Sequence, residues 1–360
     1  MIRLFLLPPA CVLAAWLFAN GAVGDGAELS AELRGFLRQV GLPEAELSKA
    51  EAGRVVAKGL PTKEQREVAV AGLAYVQAPL DDFVTAFRDI ASFKRSENVL
   101  EIAQFSDPPR MEDTSGLTLE PDDIDALRTC KVGDCDLRLP ARVIRQLGEE
   151  VSWSARDRDE RATAVARQLL VEYVRAYLAG GDASLSEYDD TTRPLRLVDE
   201  FASIMQASPY LAAHAPGFAV HLERFPHDRL PGADDFVYWS KERFGLKPVL
   251  SVTHVTIYRR EHAGLPEVLI SSKQIYASRY FDASLGLTVA AATSADASKP
   301  GFFLLYVNRS RANALKGGFS GLKRSVVGRR ARQGMDQNLL RVRARLEATW
   351  RQKAGIKVGG

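Results

Sequence analysis

Five runs rich in β-branched and aromatic residues follow one another between residues 235 and 308, and they constrain the fold more than any other feature of the chain. Short turns that contain Gly, Pro, Ser or Asp separate these runs. Strands at such spacing, with no helix pattern between them, are typical of an antiparallel sheet. An apolar stripe at steps of three, four and five residues then runs from Leu322 to Trp350 and predicts one long C-terminal helix over about 315–352.

Two further regions precede this sheet. Residues 53–110 carry strand patterns at 53–57, 67–78 and 99–105, with a short amphipathic helix pattern after Pro79. Residues 111–234 are mainly helical in pattern, with a long amphipathic stretch over 155–178. We therefore divide the chain into a signal peptide (1–24), an N-terminal helical segment (25–52), a first core part (53–110), a disulfide hairpin with a helical insertion (111–234), a second core part with the C-terminal helix (235–352) and a flexible tail (353–360).

Three stretches carry a resemblance to a known superfamily: Gly53-Arg54-Val55-Val56, Glu67-Val68-Ala69-Val70-Ala71-Gly72 and Ala78-Pro79-Leu80-Asp81-Asp82-Phe83-Val84. With the later strands and the last helix, they follow the order of START-like, or helix-grip, domains, which the chain resembles over 53–105 and 235–352. The resemblance implies an α+β fold in which the last helix packs across a curved antiparallel sheet and closes an apolar cavity. Such domains include lipid carriers, polyketide cyclases and chaperone regulators, so the resemblance selects no single function. The helical insertion and the signal peptide depart from the superfamily pattern. As a whole, the chain also resembles a family of exported bacterial proteins, and this second resemblance implies no activity.

Residues 1–24 have the composition of a cleavable secretory signal peptide. Arg3 is the only charged residue before Asp25, and the apolar run between them ends in small residues. Pro8 and Pro9 interrupt this run, so the unbroken part is shorter than the roughly 20 residues that a membrane span needs. We expect the mature chain to be secreted or periplasmic; retention of the segment as a membrane anchor is the alternative.

Two cysteines, Cys130 and Cys135, remain once Cys11 leaves with the signal peptide. An even pair in an exported chain predicts a disulfide, and Gly133-Asp134 between them suits a tight hairpin.

A metal site would need more ligands, and no two of the five histidines are spaced like a metal-binding pair. Phosphate-binding loops and nucleophile elbows are also absent from the sequence. We predict no metal and no cofactor.

The densest polar set lies on the strands predicted over 249–259 and 267–277. Alternation places His254 on one face together with Val252, Thr256 and Tyr258. If this face lines a cavity, His254 is the candidate general base, with Lys273 or Tyr276 as the polarising group. The alternatives are that His254 and Tyr276 orient a ligand without catalysis, or that these side chains only bond across strands. The candidate ligand-binding residues are His254, Tyr276, Tyr280, Trp239 and Asn308.

The predicted C-terminal helix is rich in Lys and Arg, although the net charge of the whole chain is only +3. Export disfavours nucleic acid as a partner, whereas anionic lipid headgroups suit a basic helix; a merely solvated face is the alternative. We expect an exported protein, more a binder than an enzyme, that binds or transports a hydrophobic ligand such as a lipid or polycyclic terpenoid. The other interpretations are a cyclase- or hydrolase-type enzyme using His254 and a structural protein with a filled cavity.

Overall fold

A computed structural model describes residues 27–243, 247–296, 298–316 and 320–355. The predicted signal peptide and most of the predicted tail lie outside the described residues. The centre of the structure is an eight-stranded antiparallel sheet. Its strands are β1 (Val56–Leu60), β2 (Glu67–Val76), β3 (Val99–Gln104), β6 (Ala233–Glu242), β7 (Val249–His262), β8 (Leu265–Ala277), β9 (Ala283–Ala292) and β10 (Phe302–Arg311).

The two core parts of the chain build this one sheet. The strands lie in the order β1-β2-β10-β9-β8-β7-β6-β3, so β2 pairs with the last strand and β3 with the first strand after the insertion. A two-stranded ribbon of β4 (Glu187–Tyr188) and β5 (Leu195–Arg196) belongs to the insertion. Because β6 to β10 form consecutive hairpins, the strand patterns follow one another along 235–308 with only turns between them.

Helices cover both faces of the sheet. They are α1 (Ala31–Val40), α2 (Glu44–Glu51), α3 (Leu80–Arg88), α4 (Ile90–Lys94), α5 (Pro121–Thr129), α6 (Ala141–Glu150), α7 (Arg158–Gly180), α8 (Leu197–Gln206), α9 (Pro209–His214), α10 (Pro216–Arg224) and α11 (Ser320–Lys353). Ser30 caps α1 by accepting a hydrogen bond from the Leu33 N–H at 3.2 Å. Proline is the first residue of α5, α9 and α10, where its missing N–H costs nothing.

One face of the sheet, called the α11 side below, packs against α11 and α3. Met335 and Leu339 of α11 lie over Gly72 of β2, where an added Cβ would come within 2.5 Å of the Leu339 Cδ1. Phe83 and Phe87 of α3 join the same buried cluster. The long helix therefore sits directly on β1 and β2, and a glycine in β2 permits its close approach.

The other face, called the insertion side below, is covered by the helical insertion and α1. Tyr173 and Tyr177 of α7 pack in one buried cluster with Trp239 of β6 and Val252 of β7. Helices α1, α9 and α10 form a second cluster over β8, β9 and β10. The sheet is thus buried on both faces, so the insertion contributes to the main core.

The structure confirms the α+β class, the antiparallel sheet and the long C-terminal helix that packs on it. The disulfide between Cys130 and Cys135 is also present. Two short helices, α2 and α5, were missed by the sequence analysis because few apolar residues mark their buried sides. The first strand begins at Val56, later than predicted, because Gly53 has a φ of +74° and belongs to the turn after α2.

The apolar stripe of the C-terminal helix contacts the core over only part of its length. Met335, Leu339, Val342 and Leu346 are buried, whereas Leu322 is 65% exposed and Val326 is 40% exposed. The expectation of one continuous stripe from Leu322 to Trp350 facing the sheet is therefore wrong for the first turns. The physical reason is length, because β1 and β2 are shorter than the helix that lies on them.

Candidate functional site

His254 lies on the insertion side of the sheet, inside a buried hydrogen-bonded network. Its Nδ1 is 2.9 Å from the Tyr177 hydroxyl of α7, and its Nε2 is 3.0 Å from the Asp235 Oδ1 of β6. The same carboxylate oxygen accepts from the Thr256 hydroxyl at 2.7 Å and lies 3.2 Å from the His221 Nε2 of α10. A neutral His254 with its proton on Nε2 satisfies both contacts, since Nδ1 then accepts from Tyr177. This network joins α7 and α10 of the insertion to β6 and β7.

The network shifts the pKa values of its members in ways that burial and partners explain. Burial lowers the pKa of His254 below its ordinary value, although Asp235 opposes the shift. The pKa of His221 is raised because its hydrogen bond and charge interaction with Asp235 outweigh burial. The pKa of Asp235 is well below its usual range because hydrogen bonds from the two histidines outweigh burial. At neutral pH the carboxylate is charged and His254 is neutral.

Lys273 and Tyr276 do not complete a catalytic group with His254. Lys273 is the cross-strand neighbour of His254, but its ammonium forms an ion pair with Asp182 and lies 4.9 Å from the centre of the Phe201 ring. Tyr276 packs edge-on against the rings of Tyr173 and Tyr188. The three side chains therefore do not converge, since the two ring nitrogens of His254 contact Tyr177 and Asp235.

A β-bulge explains the position of Tyr276. Val252 pairs with Tyr276 but Thr253 pairs with Gln274, so Ile275 is the extra residue in β8. The bulge lets Tyr276 join the insertion-side cluster that also contains Ile275 and Val252. Simple alternation along the strand would have placed Tyr276 on the opposite face from Ile275.

Tyr276 lines a small apolar cavity of about 90 Å³, called the Tyr276 pocket below. Its walls are mostly aliphatic and include the leucines Leu119, Leu127, Leu137, Leu139, Leu147, Leu169, Leu170 and Leu250. The polar groups around it are Asp123, Arg142, Tyr173, Ser186, Tyr276 and Ser278. Arg142 is exposed, whereas Asp123 is buried and paired with the Arg279 guanidinium. The pocket thus combines apolar walls with an exposed cation and a neutralised buried ion pair.

The remaining predicted ligand-binding residues lie apart from this pocket. Trp239 is buried on the insertion side and donates its indole N–H to the Asp113 carbonyl at 2.8 Å. Tyr280 occupies the turn after β8 with a φ of +62°. Asn308 lies on the α11 side of the sheet, where its side chain donates to the Ser284 hydroxyl at 3.1 Å. The structure therefore does not bring the five predicted residues into one site.

Several charged residues at the sheet end near β10 form a buried ion-pair network instead of a ligand site. Glu67 pairs with Arg309 at 2.5 Å and with Arg311 at 3.1 Å. Glu200 of α8 pairs with Arg311 at 3.2 Å and with Arg66 at 2.7 Å. Buried ion pairs of this kind fix the relative position of elements more than they stabilise the fold.

Sequence patterns do not identify the residues that most determine the chemistry around His254 and Tyr276. Asp235 stands at the beginning of the strand pattern, and its position opposite Thr256 and near His254 depends on strand register. Tyr177 and His221 come from the insertion, and no local pattern relates them to β7. The one relevant sequence pattern is the four-residue spacing of Tyr173 and Tyr177, which places both tyrosines on one side of α7 and indicates that they face the core.

A second cavity of about 310 Å³ lies between the beginning of α1 and the end of the β7–β8 hairpin, with Glu28, Ser30, His262 and Glu267 in its walls. Among the described residues, no group of three or more His, Cys, Asp or Glu side chains has an arrangement that could hold a metal ion. No helix in the described ranges is both long and apolar enough to cross a bilayer.

Comparison with known proteins found no family model, no curated protein and no solved structure that matches this chain.

Proposed function

We propose that this protein is an exported binding protein that holds the apolar end of a small amphiphilic ligand in the Tyr276 pocket. The observation that carries the proposal is the pocket itself, whose walls are mostly aliphatic and include a few polar groups. Ligand sites typically combine such walls with a small number of polar groups that orient the ligand. The disulfide between Cys130 and Cys135 supports export, because such bonds persist in oxidising compartments.

The size and charge of the pocket narrow the ligand class. A dry apolar cavity of about 150 Å³ binds benzene, so a cavity of about 90 Å³ takes a short alkyl group or the end of an acyl chain. The exposed guanidinium of Arg142 suits a carboxylate or phosphate headgroup. A short-chain anionic lipid or fatty acid therefore fits better than a polycyclic terpenoid. This places the proposed site in the insertion, not beneath the last helix as the START-like resemblance implies.

Filling the pocket tests the proposal. Ala166 of α7 lines the pocket, whereas Ala164 on the same helix is exposed. Isothermal titration with octanoate should detect binding to the unmodified chain, a loss of at least about tenfold in Ala166→Phe, and no change in Ala164→Phe. Arg142→Gln should weaken octanoate binding by about tenfold but leave binding of octanol unchanged, since one charge-assisted contact contributes about 1.5–3 kcal/mol.

The proposal is abandoned if the unmodified chain does not bind octanoate, or if Ala166→Phe binds it as well as the control does. Mass spectrometry of lipids extracted from the purified protein is an independent check. Recovery of acyl lipids from the unmodified chain, with loss of them from Ala166→Phe, would support the same site.

We further propose that the first turns of α11 contact an anionic membrane surface. Leu322, Val326 and Val327 are exposed there, and Lys323, Arg329 and Arg330 are exposed beside them. Apolar side chains flanked by cations are typical of helices that lie at the membrane interface. Each cation near such a surface contributes about 1 kcal/mol.

Vesicle sedimentation tests this surface. Leu322→Ser should reduce binding to vesicles of phosphatidylserine and phosphatidylcholine, and added salt should weaken binding further. Leu340→Ser on the same helix is the control, because Leu340 is also exposed, at 41%, but lies beyond the first turns. Equal binding of both variants, or equal binding to vesicles of phosphatidylcholine alone, would refute the contact.

The interpretation as a cyclase or hydrolase using His254 receives no support from this geometry. Its ring is 2% exposed, and its two nitrogens contact Tyr177 and Asp235 within the core. A general base must be able to reach the proton that it removes. His254 is better explained as the residue that fixes the insertion on the sheet.

A further inference from the structure

A row of polar side chains crosses the α11 side of the sheet, on the face opposite to the Tyr276 pocket. Its members come from five successive strands: Tyr238, Thr253, Gln274, Ser284 and Ser310. Tyr238 pairs with Thr253, Thr253 with Gln274, and Ser284 with Ser310. The pairing of Lys273 with Leu285 makes Gln274 the neighbour of Ser284. We call these five residues the polar row.

The end of the polar row near β6 is extended by a charged pair. The Lys94 ammonium of α4 lies 2.6 Å from the Glu242 carboxylate and 3.3 Å from the Tyr238 hydroxyl. The Ser240 hydroxyl donates to the same carboxylate at 2.7 Å. The positive and negative charges neutralise each other, so this end presents hydrogen-bonding groups without a net charge.

The opposite end of the polar row is a network of neutral groups. The Asn308 amide donates to the Ser284 hydroxyl at 3.1 Å and accepts from the Ser310 hydroxyl at 2.7 Å. Asn308 and Ser310 are both half-buried, so they remain within reach of a ligand. Asn308 was among the ligand-binding residues predicted from the sequence, and the polar row gives it polar neighbours.

Gln274 lies between these two ends and has an unused acceptor. Its Oε1 is shielded from bulk solvent and has no hydrogen-bond donor among the described residues. A shielded amide oxygen without a donor costs about 1–3 kcal/mol. A ligand that donates a hydrogen bond at this point would recover that free energy.

The ring of Tyr306 provides an apolar surface beside Gln274. A Cβ added at Gly286 would come within 2.9 Å of the Tyr306 hydroxyl and 3.4 Å of the Ser272 Cβ. The ring therefore extends across β9 toward β8, and only a glycine at position 286 leaves room for it. Tyr306 is half-buried, so part of its ring is available for contact.

We infer that the polar row and Tyr306 form a second binding site, which takes a neutral carbohydrate. Hydroxyl, amide and aromatic groups without net charge match a sugar ring, which has hydroxyls that donate and accept and an apolar face that packs on an aromatic ring. A charged ligand gains nothing at the Lys94–Glu242 pair, where one group attracts it and the other repels it, and a lipid chain would leave Gln274 and the hydroxyls without partners. The site is independent of the Tyr276 pocket, because the sheet separates the two.

Saturation-transfer NMR with maltotriose, cellotriose and chitotriose tests the inference. At least one of these sugars should show transfer from the unmodified chain. Gln274→Ala and Tyr306→Leu should each weaken its binding at least about fivefold, because the first removes the amide acceptor and the second removes the aromatic ring. Gly286→Ala should do the same, because it displaces the Tyr306 ring without removing a polar group. Gln206→Ala is the control, since Gln206 is exposed on α8.

Thermal melting identifies any variant that fails to fold. Gln274→Ala, at a half-buried position, keeps the inference testable if Tyr306→Leu or Gly286→Ala fails to fold. The inference is overturned if none of the three sugars binds. It is also overturned if the folded variants among Gln274→Ala and Tyr306→Leu bind the sugar as tightly as Gln206→Ala does. Octanoate binding by the same variants should be unchanged, so failure of this site and failure of the Tyr276 pocket give different results.

Discussion

Replacing Asp235 with alanine should remove a large part of the stability of the fold, because one carboxylate oxygen serves three donors. The Thr256 hydroxyl, His254 and His221 approach this oxygen at 2.7, 3.0 and 3.2 Å. A buried donor left without a partner costs about 1–3 kcal/mol, so the upper limit for three is about 9 kcal/mol. The Asp235 side chain is 20% exposed, so water can replace part of the loss. We therefore expect Asp235→Ala to lower the free energy of unfolding by about 3–5 kcal/mol.

The neighbouring residue provides a matched control. Asp234 also lies on β6, but it faces the α11 side and pairs at 2.7 Å with Arg88, with side-chain exposures of 46% and 52%. Exposed ion pairs contribute about 0–1 kcal/mol, so Asp234→Ala should be nearly neutral. Urea unfolding followed by circular dichroism and by tryptophan fluorescence measures both variants. If Asp235→Ala and Asp234→Ala unfold within about 1 kcal/mol of each other, the network does not fix the insertion as argued.

Three further changes test other parts of the structure. His221→Gln should cost more stability near pH 5.5 than near pH 8. Because the pKa of His221 is raised in the fold, its protonated form stabilises the fold; this contribution is complete below the unfolded pKa of 6.5 and is lost as the pH rises through the folded pKa. An equal cost at both pH values would exclude the charge interaction with Asp235. Gly72→Ala should lower stability by about 1–3 kcal/mol, because the added methyl group would clash with α11. Gly59→Ala is the control, since position 59 has open space and the change should cost far less. Similar melting temperatures for the two variants would argue against the close approach of α11 to β2. Cys130→Ser should lower the free energy of unfolding by about 2 kcal/mol, since the loop that the disulfide closes is short. Circular dichroism should show that the sheet stays folded. Global unfolding would show that the hairpin does more than fix local geometry.

The sheet order, with β2 beside β10 and β3 beside β6, and the C-terminal helix on one face agree with a helix-grip arrangement. Membership of the superfamily remains a proposal. The α11 side is apolar beneath the second half of α11 but polar along the polar row, so the carbohydrate site proposed there differs from the lipid cavity that the resemblance implies.

The sequence by itself determined the local elements and their faces. Alternation along β7 placed Val252, His254 and Tyr258 on one face, and the structure confirms this because each strand residue turns its side chain by a fixed period. Pro209 and Pro216 are the first residues of α9 and α10, so the sequence alone marks where these two helices begin. The paired cysteines predicted their disulfide, because the reactive groups are only a few residues apart.

Tertiary structure decided which face would carry which chemistry. Alternation cannot tell which of two faces a distant insertion will cover, so it could not show that His254 lies under α7 and α10. A bulge of one residue moved Tyr276 to the insertion side, where it lines the pocket. Asp235, Tyr177 and His221 meet His254 only because register and helix packing bring together residues that are far apart in the chain. Local periodicity contains no information about such contacts, because they depend on which surfaces exclude water together.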